Sequence, residues 1–163
     1  MEKRYGATER NDRLMQIGRN KWELIYGYGT DGVSGWTYRE RFNRKPTQDE
    51  IKDIIIAQIN CNVEEKILCG LVWRDMPIWL STENQFNYKA AYDLAVQTGG
   101  QSLPVKFKFG TDEQPVYHTF TTLDELQEFY MTSLAFVQQV LDEGWHIRMS
   151  GTCSIISALP RTW

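Results

Sequence analysis

Apolar and polar residues alternate between Asn20 and Phe42, and this period of two predicts a long β-hairpin. The two runs are separated by the turn-rich stretch at residues 30–35, Thr-Asp-Gly-Val-Ser-Gly. The predicted aromatic face carries Trp22, Leu24, Tyr26, Tyr28, Trp36, Tyr38, Glu40 and Phe42. The opposite face carries Lys21, Glu23, Thr37, Arg39 and Arg41. We therefore expect a hairpin with an aromatic face and a charged face.

Two later stretches of the chain resemble each other. Each contains a polar turn, a proline that opens a short strand, and a hydroxyl N-cap followed by acidic residues in the first helical turn. The first stretch runs from Asp75 to Glu83 and the second from Asp112 to Glu125. A helical pattern follows each stretch, ending near Thr98 in the first case and at Gly144 in the second. We expect the two stretches to form halves of one small α+β body.

A further helix is predicted to begin at Thr47, where Glu50 completes a capping box. Its buried stripe consists of Ile51, Ile54, Ile55 and Ile59. After Glu65 the apolar residues alternate again, and this alternation predicts a strand from Ile67 to Trp73.

These elements predict an α+β fold in which three main helices pack with short antiparallel hairpins, plus an N-terminal aromatic hairpin and extended arms. Residues 1–46 should form an arm and the hairpin, residues 47–146 the body domain with its two hairpin–helix units, and residues 147–163 a C-terminal tail with at most a short strand. Residues 1–19 have the polar composition of an arm that becomes ordered only against something else.

The net charge of −3 conceals an uneven distribution of charge along the chain. Residues 1–46 hold ten basic and six acidic residues, a net of +4, whereas residues 47–163 hold eight and fifteen, a net of −7. Opposite charges favour contact between the two segments or head-to-tail contact between copies. A chance fluctuation of surface charge would produce the same counts.

Cysteines and apolar runs bear on where the protein is made. Cys61, Cys69 and Cys153 have no paired spacing, and we expect Cys61 and Cys69 to be buried free thiols. The first residues, Met-Glu-Lys-Arg, lack the apolar core of a signal peptide, so we expect synthesis in an intracellular, reducing compartment. The run Ile54–Ala57 is far shorter than the roughly 20 residues of a membrane span, and no membrane partner is expected.

The block from residue 51 to residue 145 resembles a domain of unknown function found in bacteriophage tail-associated and tail-fibre-assembly proteins. The likeness lies in a helix ending near Asn60, Asn62 and Glu64, the sequence Pro-Ile-Trp-Leu-Ser-Thr-Glu at 77–83, and Thr-Thr-Leu-Asp-Glu-Leu at 121–126 before a long helix. The resemblance implies a virion location after synthesis in the bacterial host cytoplasm, and partners among other virion proteins. It brings no catalytic motif to this chain.

Residues capable of catalysis or metal binding are scarce. His118 and His146 have no cysteine or acid at metal-ligand spacing, and His118 fits a structural role on a strand. Acid pairs such as Glu64 and Glu65 could serve a glycosidase, but the pairs at Asp112 and Asp124 are explained by a turn and a helix N-terminus. We expect no enzyme activity, no cofactor and no metal.

Interaction is therefore the expected role, as a non-enzymatic virion structural protein of a tail or fibre that contacts other virion proteins and copies of itself in a trimer or ring. The alternative is a host-surface module that binds bacterial glycans through the aromatic hairpin. Basic and aromatic residues are also interleaved as in nucleic-acid binding, but the overall acidity argues against that partner. The candidate interaction residues are Arg10, Arg13, Trp22, Tyr26, Tyr28, Trp36, Arg39, Arg41 and Trp163.

Overall fold

The structure, a computed structural model, describes residues 1–111 and 113–158. Within these residues, three helices and several antiparallel strand pairs confirm the predicted α+β fold. The elements are β1 (Glu2–Tyr5), β2 (Arg13–Gly18), β3 (Lys21–Asp31), β4 (Ser34–Phe42), α1 (Gln48–Cys69), β5 (Leu71–Trp73), β6 (Met76–Ile78), α2 (Thr82–Gln97), β7 (Val105–Gly110), β8 (Pro115–Phe120) and α3 (Leu123–Ala158). Two compact units are distinguished: unit 1 is Met1–Asn60 with the residues after Gly144, and unit 2 is Cys61–Gly144.

Unit 1 contains a four-stranded antiparallel sheet in the order β1-β4-β3-β2. The predicted hairpin forms the centre of this sheet as β3 and β4. Its turn consists of Gly32 and Val33, with Asp31 directly opposite Ser34. Gly32 has a φ of 61°, a left-handed conformation that a two-residue turn requires and that glycine adopts without strain.

Residues 1–19 supply strands β1 and β2, and the expectation of an extended arm is wrong for this segment. β1 pairs with the free edge of β4, and β2 pairs with the free edge of β3. A two-stranded hairpin leaves a row of unpaired N–H and C=O groups along each edge, and such rows readily accept another strand. Composition alone could not show that this polar segment would find its partner within the same unit.

A β-bulge in β3 moves Tyr28 to the charged face of the sheet. Tyr26 lies opposite Tyr38. Trp36, two residues before Tyr38, lies opposite Gly29, whereas a regular ladder would place it opposite Tyr28. The extra residue is accommodated where Gly27 has a φ of 66°. The prediction that Tyr26 and Tyr28 share a face is therefore wrong, because the bulge shifts the alternation by one residue.

Helix α1 begins as predicted. The Thr47 N–H donates to the Glu50 carboxylate at 2.8 Å, and the Glu50 N–H donates to the Thr47 hydroxyl at 3.2 Å, which confirms the capping box. Ile51, Ile55 and Ile59 are buried. The helix contacts the start of the chain, because the amino group of Met1, the residue before β1, donates to the Gln58 side chain at 3.1 Å.

The end of α1 differs from the prediction, because the helix continues to Cys69 where we expected a strand. The Gly70 N–H donates to the Lys66 carbonyl at 2.9 Å and closes the last turn. Ile67 and Leu71 are four residues apart, a spacing that fits both a helix and a strand. The alternation therefore could not decide between the two elements, and strand β5 starts only at Leu71.

The core of unit 2 is built from aromatic side chains of its strands and helices. Trp73 of β5 contacts the rings of Phe109, Phe120 and Phe129 at centroid distances of 6.4, 5.6 and 5.1 Å. Tyr88 of α2 packs on Phe129 at 5.0 Å. Hairpins β5–β6 and β7–β8 and the helices that follow them thus share one core, as the two similar stretches of sequence predicted.

Helix α3 does not end at Gly144, and residues 147–158 are helical where we expected a tail. Gly144 is buried inside the helix, and a Cβ atom at this position would lie 2.6 Å from Cγ2 of Val63. The glycine permits close approach of α3 to α1 and is not a C-cap. The candidate residue Trp163 lies outside the described residues.

Truncation of the central ring tests this account of the core. Trp73→Ala removes a buried side chain with four aromatic neighbours, the three phenylalanines and His118, and should lower the free energy of unfolding by about 3–5 kcal/mol. Trp79→Ala, at a position 48% exposed, should cost less than about 1 kcal/mol and is the matched control. Denaturant unfolding measures both changes, and equal losses for the two variants would contradict the assignment of Trp73 to the core.

Candidate interaction surface

One face of the unit 1 sheet collects four arginines. Arg39 of β4 lies opposite Ile25 of β3, which in turn lies opposite Arg13 of β2. Side chains directly opposite each other project from the same face, and Arg41 joins them because it is two residues beyond Arg39. Arg4 of β1 lies opposite Thr37, two residues before Arg39, and is the fourth arginine on this face. We call this surface the arginine face.

A buried acid holds two of these side chains in place. Glu23 accepts hydrogen bonds from Arg41 Nε at 2.8 Å and from Arg39 at 3.1 Å. The hydrogen bond from Arg41 is the main cause that lowers the pKa of Glu23; burial opposes it and Arg39 reinforces it. The carboxylate therefore stays ionised and fixes both guanidinium groups at the surface.

The arginine face carries more positive than negative charge. Its carboxylates are Glu23 and Glu2, and the latter contacts Arg4 at 2.8 Å. Among residues 1–111 and 113–158, no carboxylate lies within salt-bridge distance of Arg13. The face is thus an electropositive surface with an arginine available to an acidic partner.

Two polar atoms on this face are buried without a hydrogen-bond partner in the described part of the chain: the Thr37 hydroxyl and Nε of Arg39. The two residues are separated by two positions on β4 and therefore project from the same face. A buried polar group left unsatisfied costs about 1–3 kcal/mol. The side chains of the arginine face therefore leave these two atoms unsatisfied.

Arg10 lies apart from the arginine face. Its guanidinium contacts Asp12 at 2.8 Å and lies 5.8 Å from the centroid of the Tyr26 ring. Asp12 also accepts a hydrogen bond from the backbone N–H of Gly27 at 2.7 Å. Arg10 therefore supports the loop that packs beside the β-bulge, and its role is structural.

The predicted aromatic candidates are largely engaged within unit 1. Tyr26 is buried, and Lys45 Nζ lies 5.5 Å from the centroid of the Trp22 ring. Trp36 packs so tightly on β3 that a Cβ at Gly29 would lie 2.2 Å from its ring. Tyr28 is 37% exposed, on the face that carries the arginines. The aromatic rings of the hairpin thus serve mainly as internal packing surfaces.

A charged cluster at the end of the hairpin was not among the predicted candidates. The Asp31 carboxylate accepts hydrogen bonds from Lys3 Nζ at 2.6 Å, the Tyr5 hydroxyl at 2.6 Å and Nε1 of Trp36 at 3.0 Å. Lys3 Nζ also lies 4.1 Å from the centroid of the Trp36 ring. The hydrogen bond from Lys3, followed by that from Tyr5, lowers the pKa of Asp31 to about 2. We call these four residues the tip cluster.

Sequence reasoning missed Lys3, Tyr5 and Arg4 for one reason, since residues 1–19 were expected to be an arm and not a strand. The alternation of Lys3 and Tyr5 with Arg4 is a period-two signal, although it is only a few residues long. Pairing of β1 with β4 places Tyr5 opposite Trp36 and thereby assembles the tip cluster.

The residues considered for chemistry have structural contacts. His118 Nε2 lies 3.1 Å from the Glu125 carboxylate, and the His118 ring meets Trp73 edge-on at 5.2 Å. Cys61 and Cys69 are exposed, so the prediction that they are buried is wrong; both lie on α1 outside its stripe of buried isoleucines. In the described part of the chain, no group of three His, Cys, Asp or Glu side chains could hold a metal ion, and no helix is long and apolar enough to cross a membrane.

The tip cluster leads to a prediction about pH. Because the Asp31 pKa is lowered from 3.8 to about 2, the stabilisation it provides should be complete above pH about 4 and should disappear as the pH falls through about 2. The indole N–H resonance of Trp36 in ¹H–¹⁵N spectra should titrate with that lower midpoint and should lose the transition in Asp31→Asn. Glu9→Gln, an exposed control, should leave the transition unchanged; a wild-type midpoint near 3.8 would contradict the cluster.

Comparison with known proteins gives no relative from which a role could be inferred, so the role of this chain is argued from its own surface. No protein-family model matches the sequence, no curated protein matches it, and no solved structure matches the fold.

Proposed function

We propose that this protein is a non-enzymatic structural protein of a bacteriophage particle, associated with the tail or a fibre, and that it acts through protein–protein assembly contacts. The resemblance of residues 51–145 suggests the tail or fibre. The observation that carries the assembly role is the segregation of charge between the two units, together with the arginine face.

The two units have opposite net charge. Unit 1 contains thirteen basic and nine acidic residues, a net of +4, and unit 2 contains five and twelve, a net of −7. The arginine face is the part of unit 1 where basic side chains gather on one surface. Complementary potentials of this kind steer association and fix the orientation of partners.

The partner best suited to the arginine face is an acidic protein surface, such as unit 2 of a neighbouring copy. Exposed ion pairs contribute only about 0.2–1 kcal/mol each, so several must act together. A contact between different surfaces of identical copies is heterologous, and such contacts close into rings when the rotation permits. A trimer or ring built with other virion proteins would repeat each weak contact several times.

The glycan alternative has less support from the hairpin. A ring that stacks on a sugar must leave one of its faces open to solvent. Trp36 packs against the backbone at Gly29 and beneath Lys3, and Tyr26 is buried. Tyr28 keeps the largest exposed fraction among the predicted hairpin rings, and it lies on the same face as the arginines.

A charge reversal tests the arginine face. Arg13→Glu adds a carboxylate to the face without removing a salt bridge and should weaken self-association about fivefold or more at low salt. Arg19→Glu makes the same charge change in the turn between β2 and β3 and should behave like the wild type. Sedimentation analysis from about 0.1 to about 0.5 M NaCl should show wild-type association falling with salt.

Two outcomes would overturn this use of the arginine face. In one, the wild type stays monomeric at every salt concentration; in the other, Arg13→Glu and Arg19→Glu weaken association equally. Salt-sensitive binding of duplex DNA that Arg13→Glu abolishes would instead assign the face to nucleic acid.

The virion role has a separate test. Mass spectrometry of purified phage particles should detect the protein at a fixed ratio to tail or fibre proteins. Disruption of its gene should yield particles with incomplete tails or fibres. Absence of the protein from purified particles would refute the virion role, whatever the behaviour of the arginine face.

A further inference from the structure

A small pocket lies on the surface of unit 2 beside Trp79. Its volume is about 270 Å³, just below the range of about 300–1,000 Å³ that holds drug-sized ligands, so it suits a ligand of one ring. Trp79, which follows β6, and Asn84 in the first turn of α2 line one side of the pocket. Residues 108–111, at the end of β7, line the other side. All of these residues belong to unit 2.

The local structure places the side chain of Trp79 at the surface. Its neighbours Ile78 and Leu80 are each 1% exposed, whereas Trp79 is 48% exposed. Burial of both neighbours directs the side chain between them outward. Nδ2 of Asn84 donates a hydrogen bond to the Trp79 carbonyl at 2.8 Å and holds the backbone in this position. The indole is therefore presented beside the pocket and does not contribute to the core.

The ring of Trp79 is open to a ligand. Among the residues that the structure describes, no other aromatic ring and no cation lies over it. Trp36 differs in this respect, because it packs on Gly29 and beneath Lys3. The face of an indole is electron-rich and attracts the weakly positive hydrogens of C–H groups. Trp79 can therefore stack on a flat ligand whose faces carry C–H bonds.

The polar groups of the pocket have hydrogen-bonding capacity left. The side-chain carbonyl of Asn84 accepts no hydrogen bond from the described residues. The Thr111 hydroxyl accepts a hydrogen bond from the Gln114 N–H at 3.1 Å, and its own hydrogen is left to donate. Lys108, the one cation among the described residues of the lining, already has an interaction partner in the protein. The pocket thus offers an acceptor and a donor that carry no charge.

These features select one class of ligand. An anion is held best by a cation that has no other partner, and the pocket is not built around one. A purely apolar ligand would cover Asn84 and Thr111 without replacing their hydrogen bonds to water, and that loss lowers affinity. A pyranose ring with equatorial hydroxyl groups suits both parts of the pocket, because its faces carry C–H bonds and its rim carries hydroxyls that donate and accept.

We propose that the pocket beside Trp79 binds one ring of a saccharide with equatorial hydroxyl groups, such as a β-linked glucose or N-acetylglucosamine unit. The sugar ring stacks on the indole, and its hydroxyls bond to Asn84 and Thr111. This site goes beyond the proposed function, because its ligand is a carbohydrate and not a protein. None of its residues belongs to the arginine face or to the aromatic hairpin.

Titration of the ¹⁵N-labelled protein with cellotetraose, and separately with tetra-N-acetylchitotetraose, tests the site. At least one of these oligosaccharides should shift the indole N–H resonance of Trp79 and the side-chain amide resonances of Asn84, with a Kd of about 1 mM. The indole resonance of Trp36 should stay in place, because that ring is covered. Sorbitol has hydroxyl groups like those of glucose but no ring, so it should cause no shift.

Three variants separate the contributions to binding. Trp79→Ala removes the stacking surface and should raise the Kd at least about tenfold. Thr111→Val replaces the hydroxyl by a methyl group of similar shape and should raise the Kd about twofold to tenfold. Phe86→Ala is the matched control, because Phe86 is 70% exposed on α2 and does not line this pocket, and it should bind like the wild type. Denaturant unfolding verifies that each variant is folded.

The proposal is overturned if neither oligosaccharide shifts the Trp79 resonance up to about 10 mM, tenfold above the expected Kd. It is also overturned if sorbitol causes the same shift, or if Phe86→Ala is as defective as Trp79→Ala. A shift of Trp36 without Trp79 would assign the saccharide to the hairpin and refute this site. Weaker self-association of Trp79→Ala without any saccharide binding would instead assign Trp79 to an assembly contact. Failure of the Arg13→Glu test would refute the arginine face and leave the saccharide result unaffected.

Discussion

Both edges and both faces of the β3–β4 hairpin must be satisfied, and the arrangement of unit 1 follows from that requirement. Unpaired backbone groups along the two edges are occupied by β1 and β2. On one face Leu24 is fully buried. On the other face Glu23 is buried, and an ionised carboxylate can be buried only with opposite charges beside it. Arg39 and Arg41 supply those charges.

This requirement makes the arginine face a consequence of folding as well as the surface that we propose for partners. Glu23 draws Arg39 and Arg41 to fixed positions, so their conformational freedom is already reduced before a partner arrives. Binding then costs less side-chain entropy than it would with free arginines. The aromatic rings, in contrast, are occupied within the sheet. Trp36 is held by Asp31 and Lys3, so it stabilises the sheet and offers no open face for stacking.

Local signals in the sequence predicted the elements that depend on local interactions. The capping box of Thr47 and Glu50 involves residues three positions apart, and the alternation around Trp22 is set by the strand itself. The α+β fold and the shared core of the two hairpin–helix units follow from the same kind of signal.

The errors arose where a distant partner decides the structure. Strand β1 exists because β4 offers an edge, and Gly144 is helical because Val63 approaches it closely. Tyr28 changes face because one residue is inserted at Gly27, which alternation alone cannot reveal. Three of the four arginines on the arginine face, Arg13, Arg39 and Arg41, were predicted as candidates. Arg4 was not, because it lies in strand β1, which the polar composition of residues 1–19 did not predict.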